Sequence, residues 1–345
     1  MRLFVSLCGK LLGGLLLTVV TNAYAEERQV CLDWLKIVAF AGHQTDYSGV
    51  FVYQYDDRVE TSRITHLAEA DSEYEKIESL DGPKREIVRH HGKVWSYNNH
   101  KMVQLDSHQG RGSFPSLLPE QLSALSENYR ARQAGQERVA GYDAQVILFQ
   151  PKDNMRYTHK IWVHTNSGLL LKAAVLGDKN QLVEQYAFTH LQIGGKIDRS
   201  WVQQTTTSNS GDEKLLSGHP QDASSGVRGS DLPGPAEAAK HGSNTNSGWV
   251  ADALPSGFKK TMEIERPMHG KHAPVTQIVF SDGLSAISIF VEPNDRDEDD
   301  VEGLSSRGAV NMYHKVSDQH LITVVGEVPP RTVMQVFDSV RFKGK

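Results

Sequence analysis

The chain has 345 residues, 39% of them hydrophobic, and a net charge of −5. That length is long for one core and comfortable for two domains. That small net charge gives no whole-chain reason to expect nucleic acid, and a single polybasic stretch for membrane binding is absent.

The first 25 residues read as a secretory signal peptide. Arg2 and Lys10 precede or edge the apolar run Leu11 to Val20, and Ala23-Tyr24-Ala25 supplies a small-x-small cleavage pattern. The run is too short to span about 30 Å of hydrocarbon. Cleavage after Ala25 leaves one cysteine, Cys31, so no intramolecular disulfide is expected. Cys31 falls in an apolar helical pattern and reads as a buried structural thiol.

Residues 26–41 predict a helix, with Val30, Trp34, Leu35 and Val38 at helical spacing and Gly42 placed to end it. Strands follow at Val50 to Tyr55, Glu86 to Val88, Lys93 to Tyr97 and, more weakly, Met102 to Leu105. Pro115 and Pro119 punctuate the next stretch, and Pro119 suits the first turn of a helix running to about Tyr129. Strands resume at Ala144 to Phe149, Lys160 to His164, Leu169 to Leu176 and Leu182 to Ile193, with tight-turn signals at Asn166-Ser167-Gly168 and Gly177 to Asn180. Hairpin after hairpin argues for a curved antiparallel sheet and against a parallel one.

From Ser208 to Ser247 the chain is rich in Gly, Ser, Pro, Asp and Asn, and reads as a flexible linker. A coil of that length spans ~35 Å on average. A smaller α+β domain then occupies residues 248–345. Its strands are expected at Lys260 to Ile264, Val275 to Phe280, Ala286 to Val291, Ala309 to Val316 and His320 to Gly326. Pro329-Pro330 starts a final helix whose apolar face is Val333, Val336, Phe337 and Val340.

Catalytic motifs fail. There is no Gly-x-Ser-x-Gly, no His-Glu-x-x-His and no Gly-x-Gly-x-x-Gly, and Gly194-Gly195-Lys196 lacks the rest of a phosphate loop. Ser256-Gly257-Phe258-Lys259 fits Ser-x-x-Lys but has no partner motifs and reads as a turn. The acidic run Asp295 to Asp300 has Asp300 where a calcium loop wants Gly, and Ser306 where it wants Glu. None of the histidines, including His90, His91, His269 and His272, joins a ligand-spaced cluster. No catalytic, cofactor or metal site is expected.

What remains is apolar and aromatic material on alternating strands. Phe51, Tyr53 and Tyr55 share one face of a strand, Trp95 and Tyr97 share a face of another, and Ile147, Phe149 and Trp162 continue the pattern. Core filling is the plainer explanation; the alternative is an apolar ligand cavity inside a curved sheet.

Several strings, in order along both halves, resemble the sigma-E regulatory protein family RseB/MucB. They are Leu80-Asp81-Gly82-Pro83-Lys84-Arg85-Glu86-Ile87-Val88, Tyr157 to Trp162 with Leu169-Leu170-Leu171-Lys172, Leu254-Pro255-Ser256-Gly257-Phe258, Phe280-Ser281-Asp282-Gly283-Leu284, and Val324 to Pro330. The resemblance implies an N-terminal domain (26–207) like the carriers LolA and LolB, an incompletely closed antiparallel β-barrel with helices against its opening. It implies a smaller C-terminal domain, a periplasmic location, and a partner in the periplasmic part of an RseA- or MucA-like membrane-spanning anti-sigma factor. Binding in that family shields the partner from proteolysis, and lipid-bearing envelope molecules release it. On this reading Phe51, Tyr53, Tyr55, Trp95, Tyr97, Ile147, Phe149 and Trp162 are the expected acyl-chain contacts, and the natural lipid and any self-association stay open. A lipid or lipoprotein carrier using the same first domain is the alternative.

Overall fold

The computed structural model describes residues 34–69, 72–90, 93–98, 101–105, 114–118, 123–202, 243–244, 246–266, 273–294 and 302–344. The expected signal peptide, Cys31, Pro119, His91, His269, His272, the acidic run 295–300 and most of the expected linker lie outside them. Among the described residues, no helix is long and apolar enough to cross a membrane.

The first sheet is antiparallel throughout. Its strands are β1 (Tyr47–Tyr55), β2 (Arg58–Glu69), β3 (Ser72–Ser79), β4 (Arg85–His90), β5 (Lys93–Asn98), β6 (Lys101–Leu105), β7 (Tyr129–Val139), β8 (Tyr142–Pro151), β9 (Thr158–His164), β10 (Leu170–Leu176) and β11 (Leu182–Ile193). They lie in the order β6-β5-β4-β3-β2-β1-β11-β10-β9-β8-β7. Two meanders are thus joined where β1 pairs with β11, and the edges β6 and β7 stay unpaired with each other. The sheet curls far enough for the Tyr142 hydroxyl on β8 to donate to Leu191 O on β11, 3.1 Å away. This is the incompletely closed barrel that the resemblance implies.

Three strands carried little signal in the sequence. β2 and β3 are largely polar and only part-buried, and β7 (YRARQAGQERV) is an exposed, charged edge interrupted by a register shift between Gln133 and Gln136. Such composition suits an edge strand that must resist pairing with other chains. The helix expected to reach about Tyr129 is the short α2 (Ser123–Asn128), and Tyr129 already belongs to β7.

The first helix, α1, is described over 34–44 and runs past Gly42. Gly42 does not cap it. A Cβ there would lie 2.4 Å from Ser116 Oγ, so the glycine permits close packing against the 114–118 segment. Leu35 and Val38 on α1, with Leu125 on α2 and Phe114 and Leu118, bury against one face of the sheet. That face presents Tyr47, Phe51, Ile64, Ile147, Phe149, Ile161 and Phe188. Cross-strand register places these residues on one side, because Phe51 opposes Phe188, Ile161 opposes Ile147, and alternation has a period of two.

The end of α1 is tied down by Glu73 on β3. One carboxylate oxygen takes His43 Nδ1 at 2.8 Å and His66 Nε2 at 3.5 Å. These hydrogen bonds hold the Glu73 carboxyl down at about 2, against 4.5 ordinarily. A depressed carboxyl contributes stability above its unfolded value and loses it as pH falls through its folded value. Glu73→Gln is therefore expected to lower the melting temperature slightly at neutral pH, since the carboxylate is half exposed. The gap to the parent should close between pH 4.5 and about 2. Thermal unfolding across that range checks this; a gap that stays constant contradicts it.

A further helix, α3, described over 200–202, covers the other face of β2 to β5. There Trp201 packs with Leu67, Val88 and Trp95 in a separate cluster.

The C-terminal sheet domain contains β12 (Ser243–Asn244), β14 (Lys259–Arg266), β15 (Val275–Ser281), β16 (Ala286–Pro293), β17 (Glu302–Arg307), β18 (Val310–Ser317) and β19 (His320–Gly326). Their order is β12-β14-β15-β16-β19-β18-β17. Ser243–Asn244, inside the stretch expected to be linker, pairs with β14. The last helix, α4 (Pro330–Asp338), buries Val333, Val336 and Phe337 on this sheet. Pro330 stands at its start, where a missing N–H costs nothing. Val340 reaches the same core from beyond the helix. It belongs to β20 (Val340–Phe342), which pairs with β13 (Trp249–Ala251), and so is not part of the helical face expected of it.

Candidate functional site

A cavity of about 290 Å³ opens on the helix-bearing face of the large sheet. Its walls are mostly apolar and come from four places. Phe51, Ile77 and Tyr186 stand on β1, β3 and β11, Phe149, Ile161 and Ala173 on β8 to β10, and Phe114, Leu117 and Leu118 on the covering segment. The fourth contributor is the C-terminal domain, through Leu284 and Glu327. His159, Glu184 and Glu327 supply polar groups. A second cavity of about 240 Å³, with Leu35, Leu125, Tyr129 and Ala131, shares Phe149 with the first. Phe149 is thus the partition between them.

Phe114 builds much of the first cavity. Its ring stacks on Tyr186 at 5.6 Å and meets Phe51 at 5.2 Å and Phe188 at 5.0 Å. Tyr53 stacks behind Tyr186 at 4.3 Å and donates its hydroxyl to Glu184 at 2.9 Å. Burial, first, and the neighbouring Tyr186 and Glu184 push the Tyr53 hydroxyl well above its ordinary value, so it remains a donor.

Leu284 is 4% exposed and belongs to the core of the large sheet, although its own chain segment is the turn after β15. Asp282 organises that turn. Its Oδ1 accepts from the backbone N–H of Leu284 at 3.0 Å and of Ser285 at 2.8 Å. Its Oδ2 reaches the other domain, accepting from Arg156 Nε at 2.6 Å and the Tyr129 hydroxyl at 3.1 Å. Arg156 and Asp282 side chains are 1% and 0% exposed. The guanidinium also bonds Asp153 and Ser256 O, and stacks on Phe258 at 4.9 Å. A buried ion pair this well satisfied fixes geometry more than it adds net stability.

The loop carrying Arg156, between β8 and β9, is the main docking element of the first domain. Asn154 O accepts from Arg331, Met155 O from Thr332 Oγ1 at 2.9 Å, and the Tyr157 hydroxyl from Asn311 Nδ2 at 3.0 Å. Arg331 also grips Asp178 with two nitrogens, at 2.6 and 2.9 Å. Farther along, Arg307 pairs with Glu60 and lies over Tyr55. Two glycines allow the closest approaches. A Cβ at Gly257 would lie 2.0 Å from Asn128 Oδ1, and one at Gly308 would lie 2.4 Å from Glu184 Oε2; both have positive φ.

The eight residues expected to contact acyl chains fall in different places. Phe51 and Phe149 line the first cavity. Tyr53 backs it through Tyr186, and Ile147 is buried on the same face. Tyr55 borders a separate polar cleft of about 670 Å³ between the domains, with Arg58, Asp81, Arg85 and Arg307. Trp95 and Tyr97 sit on the opposite face of the sheet, in the Trp201 cluster. Trp162 opposes Val146 and Lys172, one step out of phase with Ile147 and Ile161. Trp95, Tyr97 and Trp162 therefore do not reach the cavity; strand alternation had assigned pairs of residues to a common face without fixing which face was the hollow one. The sequence reading missed Phe114, Leu117 and Leu118, hidden in an aperiodic stretch, and Tyr186. It also missed Arg156 and Leu284, which lie beside or inside recognised strings.

Ser256 and Gly257 form a turn at the domain junction, consistent with the structural reading of Ser-x-x-Lys. Among the described residues, no group of three or more His, Cys, Asp or Glu side chains is arranged to hold a metal ion.

Known proteins match this chain along nearly its whole length. Residues 31–206 match the MucB/RseB N-terminal domain and residues 243–341 the MucB/RseB C-terminal domain. The sigma factor AlgU regulatory protein MucB of Pseudomonas aeruginosa is 30% identical over 96% of this chain and 95% of its own length. The sigma-E factor regulatory protein RseB of Escherichia coli K12 is 23% identical over 89% of each chain. A crystal structure of MucB in complex with MucA(peri) superposes with a TM-score of 0.67 at 27% identity, covering 91% of this chain and all of that one. MucB crystallised alone gives 0.59 at 26% identity, covering 91% of this chain and 98% of that one.

Proposed function

This chain belongs to the MucB/RseB family, and on that premise we propose that it is a periplasmic negative regulator of an envelope-stress sigma factor. It acts by binding, not by catalysis. Its partner is the periplasmic segment of a MucA- or RseA-like anti-sigma factor, through which it associates with the inner membrane. Bound to that segment, it shields the segment from regulated proteolysis. An amphiphile whose acyl chain occupies the apolar cavity releases it.

One observation carries the reading: the cavity is roofed by Leu284, from the other domain. Ligand pockets commonly measure ~300–1,000 Å³, so 290 Å³ is near the lower limit. A long acyl chain needs more room. Withdrawing Leu284 makes that room, and doing so strains the Asp282–Arg156 contact that holds the domains in register. Occupation of the cavity and the docked arrangement then oppose each other. The docked arrangement is read as the partner-binding one, because the chain superposes better on MucB with MucA than on MucB alone. By linkage, an amphiphile that favours the undocked form weakens partner binding by the factor by which the partner weakens amphiphile binding.

Residues 26–345, incubated with the purified periplasmic segment of the anti-sigma factor from the same genome, should form a stable complex. In it the segment should resist a protease that cleaves it when free. Absence of a complex sinks the proposal and favours a lipid or lipoprotein carrier. A complex that is cleaved at the free rate removes the shielding role.

A further inference from the structure

The side of β7 to β10 that faces away from the cavity carries a separate feature. Register sets Arg132 opposite Leu148, Leu148 opposite Lys160, and Trp162 opposite Lys172. Arg130 falls on the same side by alternation. Four cations thus share one face, out of phase with Ile147, Phe149, Ile161 and Ala173. Among the described residues of these strands, Glu137 is the carboxylate on that side, and it is already engaged by Trp162 Nε1 at 2.8 Å and Lys160 Nζ at 3.2 Å.

Both lysines crowd one ring. Lys160 Nζ stands 4.5 Å from the Trp162 centroid and Lys172 Nζ 4.6 Å. Burial holds the Lys172 ammonium below its ordinary value, against the attraction of Glu137, and the repulsion of Lys160 adds a smaller push in the same direction as burial. Gathering like charges around one shared carboxylate costs free energy unless an outside anion balances them. Arg130 and Arg132 extend the positive field to the exposed edge strand. Four strands at 4.7–4.9 Å spacing make this a stripe about 14 Å wide. None of the cavities described above is lined by Lys160, Trp162, Lys172 or Arg132, while Arg130, on the edge strand, also borders the second cavity. An open stripe fits an extended anionic surface better than an enclosed small ion. The chain as a whole is acidic, so attraction to such a surface is local and therefore orienting.

We propose that this face docks on an anionic phospholipid bilayer, with Arg130, Arg132, Lys160 and Lys172 against the head-group phosphates. The contact is independent of the anti-sigma partner and of the apolar cavity, and turns the cavity-bearing side away from the bilayer.

The test uses residues 26–345, which contain every described residue and omit the apolar leader that would itself bind lipid. Cosedimentation is measured with vesicles of phosphatidylglycerol and phosphatidylcholine, and of phosphatidylcholine alone. Binding is expected to the charged vesicles only, and to weaken steeply with salt. Lys160→Glu/Lys172→Glu should reduce it by about ten-fold or more, and so should Arg130→Gln/Arg132→Gln, which leaves Trp162 untouched. Lys259→Glu, on the second domain, should change nothing. Equal binding by parent and both double variants overturns the proposal, as does equal binding to neutral vesicles. Displacement by inorganic phosphate at matched ionic strength also overturns it, by making the stripe a small-anion site.

Discussion

Replacing Arg156 with alanine is expected to weaken the docking of the two domains by about 3–5 kcal/mol, the usual cost of stranding one partner of a buried ion pair. The loss is large because Asp282 stays behind, fully buried, with only the Tyr129 hydroxyl and two backbone amides to solvate it. Burial keeps Tyr129 protonated, so it donates but cannot replace the positive charge. The variant also loses the bond to Ser256 O and the stacking on Phe258. Both sheets keep their own cores, so each domain should stay folded while the junction loosens. Hydrogen exchange at residues 281–285 and 153–157 should accelerate together, with amides inside β8 and β16 unchanged. Arg156→Met/Asp282→Leu should recover part of the loss, since an apolar pair leaves no unpaired charge. Exchange at the junction that matches the parent would show that the ion pair does not hold the domains.

The second large effect is expected from filling the cavity. Ala173 lines it, between Ile161 on β9 and Tyr186 on β11. In Ala173→Phe the new ring enters empty space, so the cost in stability should stay below the ~1–3 kcal/mol of an overpacked core. Room for an acyl chain disappears, at about 0.8 kcal/mol of lost transfer free energy for each methylene excluded. The variant should bind the anti-sigma segment as the parent does and fail to release it when amphiphile is added. Release at the parent's concentration of amphiphile would place the lipid elsewhere, for which the pocket around Leu35 and Leu125 is the nearest choice.

How far the sequence reaches depends on whether a strand has two faces of different polarity. β11 and β19 alternate or run apolar between clear turns, and their predicted and observed limits coincide. β2, β3, β7 and β17 are polar because each lies at or near an edge or faces solvent on one side, so hydrophobic periodicity is silent about them. The cavity was half legible for a related reason. Alternation groups Phe51 with Tyr53, and Trp95 with Tyr97, but the hollow side is decided by which elements cover the sheet. Here α1, α2 and Phe114–Leu118 cover one side, and Trp201 the other. The roof was not legible at all, because Leu284 joins a core otherwise built from the first domain, through a pair, Arg156 and Asp282, 126 residues apart. Recognised strings did converge there: Tyr157, Ser256 and Asp282 all lie at the domain junction.

Cavity occupation and partner binding oppose each other through a finite coupling. The most direct measurement is the dissociation constant of residues 26–345 for the anti-sigma segment, titrated at rising concentrations of a monomeric amphiphile. The constant is expected to rise with amphiphile in the parent, reaching a plateau set by the coupling between the two sites, and to stay flat in Ala173→Phe. A constant that does not change in the parent, at amphiphile concentrations shown to saturate the protein, would contradict that coupling.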